Sequence, residues 1–181
     1  MTLDLIFSGR FCSNYKVTIG ADFAVKSLMR DKDVKVNLQL WDIAGQERYG
    51  FMTRVYYKHA IGAVVVFDVS RMGTFKTVVK WLTDLREKVA LYDGSPVPVV
   101  LLANKCDIAG AAIPTETIKK FCRDHGIEKW FPTSAKEDIN IGKHRSHYSL
   151  QNLRLQSNIS CPTAMIDSIH CASCIKSMEW P

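Results

Sequence analysis

At 181 residues, 47% hydrophobic and 23% charged, the chain has the size and composition of one globular domain with an apolar core, which excludes a fibre or a wholly disordered polypeptide. The formal charge of +6 comes from Lys and Arg scattered among acids, with no long basic run to track a phosphate backbone, so nucleic acid is not expected as a partner. No apolar stretch approaches the ~20 residues that span a bilayer, and Asp4 breaks the apolar run near the start where a signal segment would sit, so the expected location is cytoplasmic. Cys12, Cys106, Cys122, Cys161, Cys171 and Cys174 are accordingly expected as reduced thiols without structural disulfides.

Residues 22–41 contain two extended runs around the polar turn Arg30-Asp31-Lys32-Asp33. The second run alternates through Val34, Val36, Leu38 and Leu40, which predicts a hairpin with one buried face. Residues 47–58 space Tyr49, Phe51, Met52, Val55 and Tyr56 at mixed helical intervals around Gly50, predicting a short, irregular helix. Residues 60–69 form a mostly apolar run broken only by Asp68 near its end, as in a strand buried on both faces of a parallel sheet. Val78, Trp81, Leu82 and Leu85 within residues 74–91 then repeat at a helix period.

The alternation continues with turn residues 93–96, a buried strand over 97–103, and a helix lined by Ile118, Phe121, Cys122 and His125 that Gly126 closes. Residues 130–133 make a short final strand. Strands alternating with helices at this spacing predict an α/β fold with a mostly parallel sheet, whose ligands bind at the carboxyl ends of the strands. Residues 143–181, rich in Ser, His, Asn and Cys, keep no sustained period and are expected to form an unrelated, disordered tail after a domain at 1–142.

Three motifs fall just after predicted strands. In Trp41-Asp42-Ile43-Ala44-Gly45-Gln46-Glu47, an acid can hold a Mg²⁺ shell, a glycine can bring its backbone N–H to a terminal phosphate, and Gln46 can orient a water. In Asn104-Lys105-Cys106-Asp107, a carboxylate can accept two hydrogen bonds from a guanine edge, a pattern that adenine lacks. In Thr133-Ser134-Ala135-Lys136, backbone N–H groups can meet the base oxygen. Each motif alone is an ordinary loop; their joint occurrence, in this order and at strand ends, is specific.

On these residues, 22–142 resembles the Rab branch of the Ras-like small GTPases, with a weaker approach beginning near Phe11. The resemblance implies a P-loop-type α/β fold and a GTP/GDP switch in vesicle trafficking with GTP and Mg²⁺ as cofactors. It implies that Thr18, in Thr18-Ile19-Gly20, and Asp42 serve the metal, that Gly45 meets the γ-phosphate, and that Gln46 is catalytic in GTP hydrolysis. Asn104, Lys105, Asp107, Ser134, Ala135 and Lys136 would hold guanine, and Phe23, Trp41 and Tyr56 match the aromatic triad through which Rabs read effectors. Effectors and exchange factors are the implied partners. Ile43 stands where most Rabs have Thr and, with Trp81 and residues 94–103, is similar to the branch serving lysosome-related organelles and melanosomes.

The sequence departs from that family at both ends. No Gly-Lys-Ser or Gly-Lys-Thr occurs in it, so the family's first strand and phosphate loop are expected to be missing and nucleotide binding to be impaired. In Ras-like proteins that strand lies in the middle of the sheet, and the apolar residues Leu3, Leu5, Ile6 and Phe7 are a candidate substitute. The family's last helix and prenylated cysteines are not matched either, so the membrane association usual in the family has no visible anchor. The alternative expectation is a truncated isoform or gene-model product that competes for Rab partners without binding nucleotide.

Overall fold

The computed structural model describes residues 18–29, 35–44, 53–110, 112–140 and 174–176. The expected hairpin is present as β1 (Ala21–Met29) and β2 (Lys35–Ile43), paired antiparallel with Phe23 opposite Trp41 and Ser27 opposite Asn37. The Ser27 hydroxyl donates to Asn37 Oδ1 across the pair at 2.6 Å. The turn itself lies outside the described residues. Of the irregular helix expected over 47–58, α1 (Thr53–Tyr57) is described.

Three parallel strands follow: β3 (Ala63–Asp68), β4 (Val99–Asn104) and β5 (Lys129–Pro132). They are crossed by α2 (Met72–Lys88) and α3 (Thr115–Asp124). Phe75, Val78 and Leu82 of α2 and Ile118 and Cys122 of α3 pack into one cluster with Val65, Phe67, Leu101 and Ala103, which places both helices on the same face of the sheet. Each fully buried side chain of this size contributes about 1.5–3 kcal/mol. A second cluster joins Ile43 of β2 and Tyr57 of α1 to Trp81 and Leu85 of α2, locking the hairpin side to the rest of the sheet.

Helix ends follow local chemistry. Arg71 gives α2 no side-chain cap. Thr74 takes over instead, its hydroxyl accepting the Asp68 N–H at 3.0 Å and lying 2.8 Å from the Arg71 carbonyl, so the helix start is tied to the end of β3. The expected stop at Gly126 is realised with φ of 62°; Ile127 N–H reaches the Cys122 carbonyl at 2.8 Å and Gly126 N–H that of Arg123 at 3.3 Å.

The sheet order is β1-β2-β6-β3-β4-β5, and β6 (Cys174–Lys176) is the departure from expectation. It comes from the segment read as a disordered tail, yet it runs parallel between β2 and β3, with Ile175 in register with both Ile43 and Val65. A three-residue strand is too short to announce itself by alternation, which is why the sequence pattern passed over it. The position is the central one for which Leu3, Leu5, Ile6 and Phe7 were candidates; those residues lie outside the described ones. Because β2, β6, β3, β4 and β5 all run the same way, the ends at Asp42, Asp68, Asn104 and Pro132 share one edge of the sheet.

Candidate functional site

Asn104 closes β4 and is 1% exposed. Its Oδ1 accepts the Ala135 N–H at 3.1 Å and the Thr133 hydroxyl at 3.4 Å, pinning the loop after β5 against the loop after β4. The backbones are also stitched: Cys106 N–H donates to the Thr133 carbonyl at 3.0 Å, and Thr133 N–H to that of Ala103 at 2.9 Å. Ser134 pairs with Ile139 in both directions and uses its hydroxyl to donate to Asp107 and to accept from Glu137 N–H. Asp107 itself is exposed, so its carboxylate faces outward from a rigid seat. The Ser134 hydroxyl, with the charges of Lys136 and Lys105, holds the Asp107 carboxyl below its ordinary value and therefore ionised at neutral pH.

Lys105 adopts φ of 64°, a conformation costly for a residue with a Cβ, and its ammonium lies 2.6 Å from Asp68 Oδ2. Asp68 is 2% exposed. Burial pushes its carboxyl up, but hydrogen bonds from Lys105 and from the Ser70 hydroxyl and N–H, with the Lys105 charge, outweigh that and leave it lowered. Asp68 was not among the expected site residues. Its signal was the acid interrupting an apolar run, since such acids are rarely buried unless paired. Lys136, by contrast, is exposed and pairs with its neighbour Glu137 at 3.1 Å.

At the other half of the edge, the Thr18 hydroxyl donates to Asp42 Oδ2 at 3.3 Å, and Asp42 is 4% exposed. Gly20 follows with φ of 72°; a Cβ there would meet the Tyr56 hydroxyl at 3.4 Å. Phe23 and Trp41 stack with ring centroids 5.0 Å apart, and Trp41 and Tyr56 at 6.3 Å, so the three rings form one continuous surface across the hairpin and α1. Ile19, Val25 and Val55, on the same stretches of chain, are exposed apolar side chains as well. Gly45 and Gln46 lie outside the described residues.

Among the described residues no group of three or more His, Cys, Asp and Glu is gathered that could cage a metal. A hard oxygen pair such as Thr18 and Asp42 suits Mg²⁺, which is commonly held by one or two protein oxygens together with phosphate and water. On the base side, Asn104 Nδ2 is buried and has no hydrogen-bond partner among the described residues, so a donor at the end of β4 is left for a ligand acceptor to satisfy. The outward carboxylate of Asp107 and this spare donor suit a purine bearing an N–H edge, whereas the Thr133, Ser134, Ala135 and Glu137 N–H groups, among the amides expected to meet a base oxygen, are donated within the protein.

The model of the Ras family matches residues 3–149. The chain belongs to the Ras family. Among curated proteins it is similar to Ras-related protein Rab-32 of Mus musculus, 52% identical over 159 residues that cover 87% of this chain and 70% of that protein. Rab-32A of Dictyostelium discoideum is 54% identical over 136 residues, 74% of this chain and 62% of that one. Rab-7L1 of Homo sapiens is 46% identical over 133 residues, 74% and 66%. The chain therefore spans between 62% and 70% of the length of these relatives. Members of this family bind GTP, GDP and Mg²⁺. The match to the Ras family begins ahead of the first described residue and runs past the boundary expected at 142. No helix among the described residues is long and apolar enough to cross a membrane.

Proposed function

We propose that this chain is a Rab-type nucleotide switch in vesicle trafficking, reading guanine with the loops after β4 and β5 and presenting its aromatic surface to effectors. The observation that carries the reading is the seat built by Asn104, Thr133 and Ser134, which aims an ionised Asp107 outward while leaving Asn104 Nδ2 buried and unsatisfied. Asp107 accepts from the guanine N1 and exocyclic amine, and Asn104 meets the acceptors on the opposite edge. Lys105, oriented by Asp68, covers the base from the β3 side. Thr18 and Asp42 supply hard oxygens to Mg²⁺, whose chemistry when bound is to neutralise phosphate charge. Gly45 facing the γ-phosphate and Gln46 orienting the water follow from the family resemblance.

Phe23, Trp41 and Tyr56 form the effector-reading face, in keeping with their stacking and with the exposed apolar residues on the same stretches of chain. Exchange factors and effectors are the partners, and vesicle or organelle membranes the site of action. A second reading rests on one fact of the sequence, that these 181 residues contain no Gly-Lys-Ser or Gly-Lys-Thr. On that reading the chain holds no nucleotide and competes for Rab partners through the same face.

Titration of the purified chain with a fluorescent GDP analogue and Mg²⁺ separates the two. The switch reading expects saturable binding at micromolar concentration or tighter, displaced by GDP and not by ADP. Asp107→Asn should weaken it at least about tenfold, since a charge-assisted hydrogen bond is worth about 1.5–3 kcal/mol. A folded chain that captures Rab partners yet shows no GDP-specific signal up to millimolar concentration refutes the switch reading and favours the competitor.

A further inference from the structure

The chain that leaves β5 returns to it eight positions later. On the way Asp138 and Asn140 both hold left-handed backbone, with φ of 55° and 57°, a region costly for residues with a Cβ and one that aspartate and asparagine tolerate best. Glycine would take the same φ without that cost. What asparagine adds at 140 is its side chain: Nδ2 donates to the carbonyl of Pro132, the last residue of β5, at 2.7 Å. One residue earlier, Ile139 and Ser134 exchange backbone hydrogen bonds, 3.0 Å from the Ile139 N–H and 3.1 Å from the Ser134 N–H. The loop is thus closed by two adjacent rungs, one of backbone and one made by the Asn140 side chain.

Both rungs bear on Ser134, which is fully buried and whose hydroxyl donates to Asp107 of the neighbouring loop. A hydrogen bond weakens steeply as its angle departs from linear, so a shift of Ser134 re-aims or releases that carboxylate. We propose that Asn140 is a positioning residue for base recognition, clasping the loop after β5 so that Ser134 holds the Asp107 carboxylate where it meets the exocyclic amine of guanine. This role rests on the guanine reading proposed above. Its effect falls on specificity, because the line from Asn140 through Ile139 and Ser134 ends on Asp107.

Inosine diphosphate is the probe: it keeps the N1–H of GDP and lacks the exocyclic amine, so the ratio of the two affinities reports the second hydrogen bond to Asp107. Both are measured on the full chain with Mg²⁺, by displacement of a fluorescent GDP analogue. Asn140→Gly keeps the backbone conformation and removes the donor, and Asn140→Asp keeps the shape while setting an acceptor against the Pro132 carbonyl. Each should lower the preference for GDP over inosine diphosphate by about two- to tenfold, the worth of one neutral hydrogen bond. Asp138→Gly, at the other left-handed position of the loop, should leave the ratio unchanged. An Asn140→Gly chain that loses both nucleotides in equal proportion, or that keeps the wild-type ratio, overturns the role. A wild type that does not bind GDP, or binds it no better than inosine diphosphate, refutes the guanine reading itself before any variant is made. Amide exchange then decides the clasp: the Ser134 and Ile139 amides should exchange about two- to tenfold faster in Asn140→Gly than in Asp138→Gly, and equal rates overturn it.

Discussion

Lys105 combines a strained backbone with a buried counter-charge, and the two belong together. The left-handed φ of 64° costs about 1–3 kcal/mol, and the ion pair to Asp68 at 2.6 Å helps to hold the residue there. Asp68→Asn keeps the shape and removes the charge; it should cost about 1–3 kcal/mol in urea unfolding, as loss of a charge-assisted hydrogen bond does. The pH dependence has a definite sign. The folded carboxyl lies below its ordinary 3.8, so the unfolded chain takes up its proton first as pH falls. The contribution is complete above the unfolded value and is lost as pH drops through the folded one. Between pH 5 and 3 the urea midpoint of the wild type should fall more steeply than that of Asp68→Asn. Parallel slopes would show that Lys105 does not stabilise the Asp68 carboxylate. The thiol of Cys122, pushed up to about 11 by burial, stays protonated throughout and should resist alkylation in the folded chain.

Among the elements, α2 and the β1–β2 hairpin serve opposite ends. Helix α2 buries Phe75, Val78, Trp81, Leu82 and Leu85 and joins both core clusters. Leu82→Ala should therefore cost about 2–5 kcal/mol, read as a lower urea midpoint at unchanged slope. The hairpin instead spends apolar side chains on the surface, with Phe23 at 47% exposed and stacked on Trp41. Phe23→Ala should leave stability within about 1 kcal/mol. On the proposed effector role it should weaken capture of a Rab effector by roughly thirtyfold or more, as truncation of an aromatic anchor does. Equal capture by both proteins would remove Phe23 from the binding face. A β1 strand at the end of the sheet order among the described residues is suited to such a role because side-chain contacts there need not disturb the sheet core.

At the scale of the molecule, two parts of the ligand edge are far apart in sequence and meet through the parallel strand ends. On the proposed function, a guanine nucleotide bound across them would stabilise the fold by mass action, by about 2.7 kcal/mol at a hundredfold excess over its dissociation constant. GDP with Mg²⁺ should raise the melting temperature, ADP with Mg²⁺ should not, and Asp107→Asn should abolish the difference. Identical melting curves with GDP and ADP would mean that the base pocket does not discriminate. Helix α3 packs through Ile118 and Cys122 against Leu101 and Ala103 of β4, and its closing turn at Gly126 is followed by β5 from Lys129.

The sequence alone was enough for whatever repeats locally. The alternation in β2, the apolar runs of β3 and β4, the helical spacing of Val78, Trp81, Leu82 and Leu85, and the stop at Gly126 are short-range patterns, and each reappears as an element near its expected bounds. The motif residues Asn104, Asp107 and Ser134 were expected from the chemistry a base edge would prescribe, and the structure gathers them in the linked loops after β4 and β5. Only the tertiary structure decided which residues meet: Asp68 under Lys105, Thr133 against Asn104, and above all Cys174–Lys176 between β2 and β3. These contacts join residues dozens of positions apart, and no periodicity encodes them. A three-residue strand has no pattern of its own, and its neighbours on either side supply the hydrogen bonds that define it.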